Sequence, residues 1–229
     1  MIPLFVHKSP RLLKAFYAPF VWNIPTHEKV LYLTFDDGPI PDVTEWVLER
    51  LEEFSAKATF FCIGDNVQKH PDIFGKLLAK GHSIGNHTFN HLKGWNTDDR
   101  MYWDNVAQCR EVLPVATNLF RPPYGRIKLS QAKPLLQDYH VVMWDVLTGD
   151  FEKYLSPERC LEKTLQHTRP GSIIVLHDSL KAWRNMSYVL PKLLDYYSRL
   201  GYRFEALPQH IPAKMPLGEA SCFGVRSLF

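Results

Sequence analysis

VLYLTFDDGP, residues Val30 to Pro39, begins as six β-forming and mostly apolar residues and ends in two carboxylates and a Gly-Pro turn. A run that is apolar on both faces suits a strand covered on both sides, as in a parallel sheet. Asp36 and Asp37 place charge where that strand leaves the core, because adjacent carboxylates are costly to bury unpaired. Downstream, Val43, Trp46, Val47, Leu51 and Phe54 recur at helical spacing behind Pro41 and Asp42. The first unit therefore reads strand, turn, helix.

The pattern continues along the chain without any internal sequence repeat. Further strands are predicted over 58–63, 83–86, 119–121, 140–146, 172–176 and 202–206. Helices are predicted over 72–80, 97–113, 128–139, 156–168 and 188–200. Thr97 is the expected cap of the second of these, and Pro134 is expected to kink or delimit the third. About seven strand–helix alternations argue for an α/β fold with parallel strands and helical crossovers. The alternation alone does not separate a closed barrel from an open sheet. In either case the chemistry belongs at the C-terminal ends of the strands.

Composition narrows the function classes. The chain has 229 residues, 45% hydrophobic and 22% charged, with a net charge of +3. So weak a bias gives no footprint for nucleic acid, and no apolar run reaches the roughly 18 residues of a membrane span. One domain is expected over 29–229, with residues 1–28 as an extension packing on it. The apolar stretch Ala15 to Trp22 is short, is broken by Pro19 and lacks a small-x-small cleavage site. It fits a secretory signal poorly, so a cytoplasmic setting is expected ahead of the cell envelope. Cys62, Cys109, Cys160 and Cys222 form no C-x-x-C pair and are expected to be reduced thiols.

Ionisable residues fall at the predicted strand ends: Asp36 and Asp37, then His87 and His91, Arg121 with Tyr124, Asp150, and His177 with Asp178. Two histidines four apart share one face if the segment is helical, so both imidazoles can reach one metal. A carboxylate from another strand end would complete three protein ligands with an open position, the layout of a catalytic metal site. Of two adjacent carboxylates, one can bind metal while the other stays free as a base. A histidine near neutrality is suited to donate a proton. Arg121, stiffened by Pro122-Pro123, can tune the free carboxylate by its charge.

In order along the chain stand TFDDGP (34–39), HTFNH (87–91), RPPYG (121–125), WDVLTGDF (144–151) and VLHDS (175–179). With these motifs the chain resembles the polysaccharide deacetylases of the NodB-homology, carbohydrate esterase 4 type. The resemblance implies a distorted (β/α) barrel. It also implies a divalent metal, zinc first with cobalt, nickel or iron as alternatives, and hydrolysis of N-acetyl or O-acetyl groups on a carbohydrate. It assigns Asp37, His87 and His91 as metal ligands, Asp36 as base, His177 as acid and Arg121 as the partner that orients Asp36. Tyr124 becomes an oxyanion donor through its backbone N–H, and Asp150 the supporting acid. Peptidoglycan, a chitin-like polymer and a small amino sugar all suit that chemistry.

The chain also departs from the family pattern. Leu92 stands where H-[ST]-x-x-H-P has proline, and Leu147 and Phe151 replace the first Asp and the Trp of D-x-x-D-W. These changes leave open whether Asp150 or Asp145 supports His177. Trp95, Trp103, Trp144 and Trp183 are candidates to stack on a sugar, Trp95 first because it lies in a polar loop. Three other readings compete: hydrolysis of a non-sugar linear or cyclic amide, a catalytically silent carbohydrate-binding protein, and a non-haem iron oxygenase. The last would leave Asp36, Arg121 and His177 without a role together.

Overall fold

The computed structural model describes residues 6–211. The strands are β1 (Val30–Asp36), β2 (Ala58–Cys62), β3 (Ser83–Asn86), β4 (Leu119–Phe120), β5 (His140–Val141), β6 (Val146–Leu147), β7 (Ile173–His177) and β8 (Arg203–Phe204). The helices are α1 (Arg11–Phe16), α2 (Val43–Glu53), α3 (Gly64–Lys69), α4 (Pro71–Ala79), α5 (Asp99–Val112), α6 (Leu129–Asp138), α7 (Pro157–His167) and α8 (Trp183–Arg199). The strand order is β5-β4-β3-β2-β1-β7-β6, with β8 beside the start of β1. Every neighbouring pair is parallel. The sheet curls into the distorted (β/α) barrel that the family resemblance implied.

β1 is buried along its whole length, as its two-sided apolar run requires. Its side chains join those of β2, β7, α2, α4 and α8 in the largest core cluster. α2 starts where Asp42 closes a capping box with Glu45. α7 starts at Ser156, whose hydroxyl accepts the Arg159 N–H, with Pro157 in the first turn.

Several expectations are corrected. The predicted strand 140–146 divides in two, because β5 and β6 lie at opposite edges of the curled sheet. Residues 142–145 cross the gap between those edges. Val142 N–H bonds to Phe120 O, and Asp145 N–H to Ile173 O. α5 is capped by Asp98, which accepts the Arg100 and Met101 N–H groups, and not by Thr97. Pro134 lies inside α6 without ending it, and Ala132 and Leu135 hold that helix against the core. α8 begins at Trp183 and carries Pro191 within it. α3 was not predicted; its six residues are too few to show a period.

The amino-terminal segment covers the gap in the barrel. Lys8 bridges Val146, Val21 bridges Val142 and Asn23 bridges Ser172. Open sheet edges leave peptide groups unpaired, and these bridges pair some of them. Phe20 and Trp22 are buried beside Tyr102, Phe120 and Val141. The carboxylate of Asp145 pairs with Lys8 at 2.5 Å and with Lys14, and it accepts the Ser172 hydroxyl at 2.6 Å. Cys62, Cys109 and Cys160 are buried free thiols, whereas Cys222 lies outside the described residues. Among these residues no helix is long and apolar enough to cross a membrane.

Candidate metal centre and catalytic site

Parallel strands deliver their C-terminal ends to one side of the sheet. β1 and β7 are in register so that Asp36 stands beside His177. β2 and β3 pair Cys62 with Asn86, and His87 follows at once. Asp37, His87 and His91 bring a carboxylate oxygen and two ring nitrogens within 4.8 Å of one another.

The two histidines do not meet through a helical turn as their spacing suggested. The segment after β3 is a loop in which Thr88 and His91 adopt φ of 64° and 61°. Asn86 Oδ1 accepts the Thr88 N–H at 2.8 Å, and Thr88 Oγ1 accepts the Leu92 N–H at 3.1 Å. A proline at 92 has no N–H to give, so Leu92 supplies a tie that the family's usual residue lacks. The two imidazole rings sit 5.1 Å apart.

The donor set suits a divalent cation. His87 Nδ1 lies 2.7 Å from Arg121 O, and a carbonyl only accepts, so this nitrogen carries the proton. The lone pair of Nε2 is thereby left for a ligand. Burial pushes His87 down to about 4, so the ring is neutral at physiological pH. Asp37 Oδ1 is buried with no hydrogen-bond partner. It lies 3.2 Å from His91 Nε2 and 3.9 Å from His87 Nε2. Burial opposes ionisation of Asp37, but the His91 contact and the charges of His177 and His87 outweigh it, holding the carboxyl well below the usual range. An ionised oxygen without a donor, facing two imidazoles, is an arrangement that a metal ion completes.

The backbone around Asp37 is held under constraint. Its φ is 90°. Asn66 Nδ2 donates to its carbonyl at 2.7 Å, and the Gly38 N–H donates to Asp178 Oδ1 at 3.1 Å. A Cβ on Gly38 would lie 1.9 Å from Asp178 Oδ2, so only glycine fits there. Asp178 also accepts the Thr44 hydroxyl at 2.6 Å, and burial pushes its carboxyl up to about 8. Asp37, Thr88, His91 and Tyr124 all have positive φ without being glycine. Such conformations cost about 1–3 kcal/mol each and gather where function requires them.

Asp36 is free of this cluster and almost fully buried. Arg121 Nη1 donates to Asp36 Oδ1 at 2.7 Å and to Thr34 Oγ1 at 2.8 Å. Its Nε and Nη2 donate to the carbonyls of Val142 and Met143, at 3.1 and 3.0 Å. The guanidinium lies 4.1 Å from the centre of the Phe61 ring and is 0% exposed. Four fixed hydrogen bonds leave Arg121 one orientation, and Asp36 takes its own from it. Thr34 lies within the first motif, but nothing local marks it as an anchor for a side chain 87 residues away.

On the other flank, Asp150 Oδ2 accepts the His177 N–H and Oδ1 lies against His177 Nδ1, both at 2.8 Å. Burial disfavours the imidazolium, but the Asp150 charge and hydrogen bond outweigh it and raise His177 to about 9. Asp145 is turned away to Lys8 and Lys14, so Asp150 is the acid in contact with His177. The Phe151 ring meets the His177 ring edge-on at 5.1 Å.

Tyr124 and Trp95 line the same cleft, a cavity of about 710 Å³ that also contains Asp36, Asp37, His87, His91 and His177. Tyr124 is 60% exposed with its ring 4.6 Å from His91. Trp95 is 55% exposed; its Nε1 donates to Ile127 O, and Arg126 lies 5.0 Å over its ring. Trp144 and Leu147 line the cleft as well. Trp103 is half-buried against the core, and Trp183 lies edge-on to Trp46. His82 accepts the Ala58 N–H, and Asp65 pairs with Lys69, both outside the site.

A family model described as polysaccharide deacetylase matches residues 23–141. A peptidoglycan-N-acetylglucosamine deacetylase of Bacillus cereus is 34% identical over 189 residues, covering 80% of this chain and 88% of its own length. A chitooligosaccharide deacetylase of Azorhizobium caulinodans is 38% identical over 164 residues, covering 68% of this chain and 77% of its own. The crystal structure of the Bc1960 peptidoglycan N-acetylglucosamine deacetylase superposes with a TM-score of 0.80 at 30% identity, covering 87% of this chain and 95% of that one. The barrel, the cleft at its strand ends and these likenesses place the chain in one group: it belongs to the polysaccharide deacetylase family.

Proposed function

We propose that this protein removes the acetyl group from an N-acetylated amino sugar in a glycan, with zinc the favoured metal and cobalt, nickel or iron able to replace it. The observation that carries the reading is the register of Asp36 beside His177, two proton-handling groups flanking Asp37, His87 and His91. Those three residues would hold the cation, which when bound polarises an acyl oxygen and lowers the pKa of water. Two imidazoles and one carboxylate are a zinc-type donor set.

The remaining steps belong to the protein. Asp36, fixed by Arg121, takes the proton from the attacking water. The Tyr124 N–H is assigned to the oxyanion of the tetrahedral intermediate. His177, kept protonated by Asp150, gives its proton to the departing sugar nitrogen. Trp95 offers an exposed aromatic face to the glycan. The relatives named as peptidoglycan and chitooligosaccharide deacetylases support an N-acetylglucosamine unit as substrate.

The test is acetate release from N-acetylglucosamine oligomers by zinc-loaded protein beside Asp36→Asn. Release by the wild type, with a loss of about a hundredfold or more in the variant that still binds metal, is expected. No release from metal-replete wild type on glycans, with turnover of non-sugar amides, would move the activity to the second reading.

A further inference from the structure

The catalytic cleft has one wall that the proton-transfer groups do not use. Val6, Leu13, Tyr17 and Phe20, all from the amino-terminal segment, line the same cavity as Asp37 and His177. Met143, Trp144 and Leu147 line it too. The segment is not apolar by composition, since Lys8, Arg11 and Lys14 lie within it. Lys8 and Lys14, however, both turn to Asp145, and Lys8 also donates to His167 O at 3.0 Å. This segment brings two hydroxyls to the cleft: that of Ser9, which already donates to Trp144 O at 2.6 Å, and that of Tyr17. With the two lysines and Ser9 engaged, the segment offers the cleft mainly aliphatic and aromatic surface, with the Tyr17 hydroxyl as a further polar group there. Val6 is 57% and Leu13 41% exposed, so part of that surface still faces solvent.

A glycan unit shows hydroxyls on most of its rim and asks its binding site for hydrogen-bonding partners. Apolar surface left in a cleft is instead satisfied by burying apolar surface of a ligand. Resting on the deacetylase reading above, we infer that the substrate's N-acetylated sugar carries an alkyl or acyl chain, and that this chain lies along Val6, Leu13 and Tyr17. Asp145 is a positioning residue for that wall: it touches no substrate and acts by holding Lys8 and Lys14.

The probes are octyl and methyl 2-acetamido-2-deoxy-β-glucopyranoside. Acetate release gives kcat/KM, and calorimetry on zinc-loaded protein gives binding without turnover. The wild type is expected to favour the octyl glycoside by about tenfold or more in both measurements. The double variant Val6→Ser, Leu13→Ser should reduce that ratio to about threefold or less. Neither side chain belongs to a core cluster, and α1 has no buried residue, so the fold is not at stake. Asp145→Asn should lower the ratio as well, and the serine pair decides should that variant fail to fold. Equal binding of the two glycosides by the wild type, or a ratio unmoved by the serine substitutions, would overturn the inference. Equal acetate release from both would do so while leaving the deacetylase reading intact. Segment-dependent octyl binding with no acetate release from any glycan would sink the reaction but keep the apolar subsite.

Discussion

Asp150 grips His177 at two points, taking its backbone N–H on one carboxylate oxygen and facing its Nδ1 with the other. The contact fixes the ring and stabilises its charge together. Removing the charge while keeping the shape separates those effects. In metal-free Asp150→Asn, the NMR titration of His177 should fall from about 9 toward the ordinary histidine value. In the loaded enzyme kcat should drop by about 10–100-fold. An unmoved titration would show that the carboxylate is only a spacer.

The same pair makes stability depend on pH. The folded state raises His177 above its value of 6.5 in the unfolded chain, so it holds the proton more tightly. This contribution is complete below about pH 6.5 and is lost as pH rises through about 9. Urea midpoints of the metal-free protein across that window should fall more steeply for wild type than for Asp150→Asn. Parallel curves would remove His177 as the source.

Arg121 and Asp36 are both buried, so one cannot be removed without stranding the other. Arg121→Met should destabilise by about 3–5 kcal/mol. Adding Asp36→Leu should recover much of that loss, although activity stays absent. A double-mutant cycle by denaturant unfolding reads the coupling. Additive losses would mean that the carbonyl contacts of Arg121, not Asp36, carry its structural role.

Metal binding should show as stability without any assay of turnover. Zinc at about a hundred times its dissociation constant adds about 2.7 kcal/mol. Wild-type Tm should rise with zinc and fall back with a chelator. Asp37→Asn, which tolerates the positive φ at that position, should respond much less. An equal zinc response from both would place the ion elsewhere.

Thr88 is buried and its hydroxyl accepts the Leu92 N–H. Thr88→Ala should cost about 1–3 kcal/mol and weaken zinc binding by loosening His91, while Thr88→Ser should keep both. Thermal melts with and without zinc check the two together.

Asp36 and His177 were legible because each ends a strand whose apolar run is visible locally, and Asp37, His87, His91 and Arg121 because each falls just beyond a predicted strand or at its end. Parallel pairing then brings such ends together whatever lies between them. The loop that joins His87 to His91 was not legible, since a spacing of four suits a helix and a bend alike. Its shape comes from Asn86, Thr88 and Asn105, the last reached only after folding. The strand 140–146 misled for a similar reason. Its residues all favour β structure, yet the curl of the sheet sends its two ends to opposite edges. The choice between Asp145 and Asp150 needed the same long-range information, because Lys8 and Lys14 lie 137 and 131 positions from Asp145.

The bridging of the barrel gap by residues 8–23 also sets an order of events during synthesis. These residues leave the ribosome early, but their partners Val142, Val146 and Ser172 are made more than a hundred residues later. The segment must wait beside a half-made barrel, its aromatic side chains uncovered, until the far edge exists. Contacts so distant in sequence form slowly. The apolar side of the cleft can therefore close only after Ser172 is made, long after Asp37, His87 and His91 have left the ribosome.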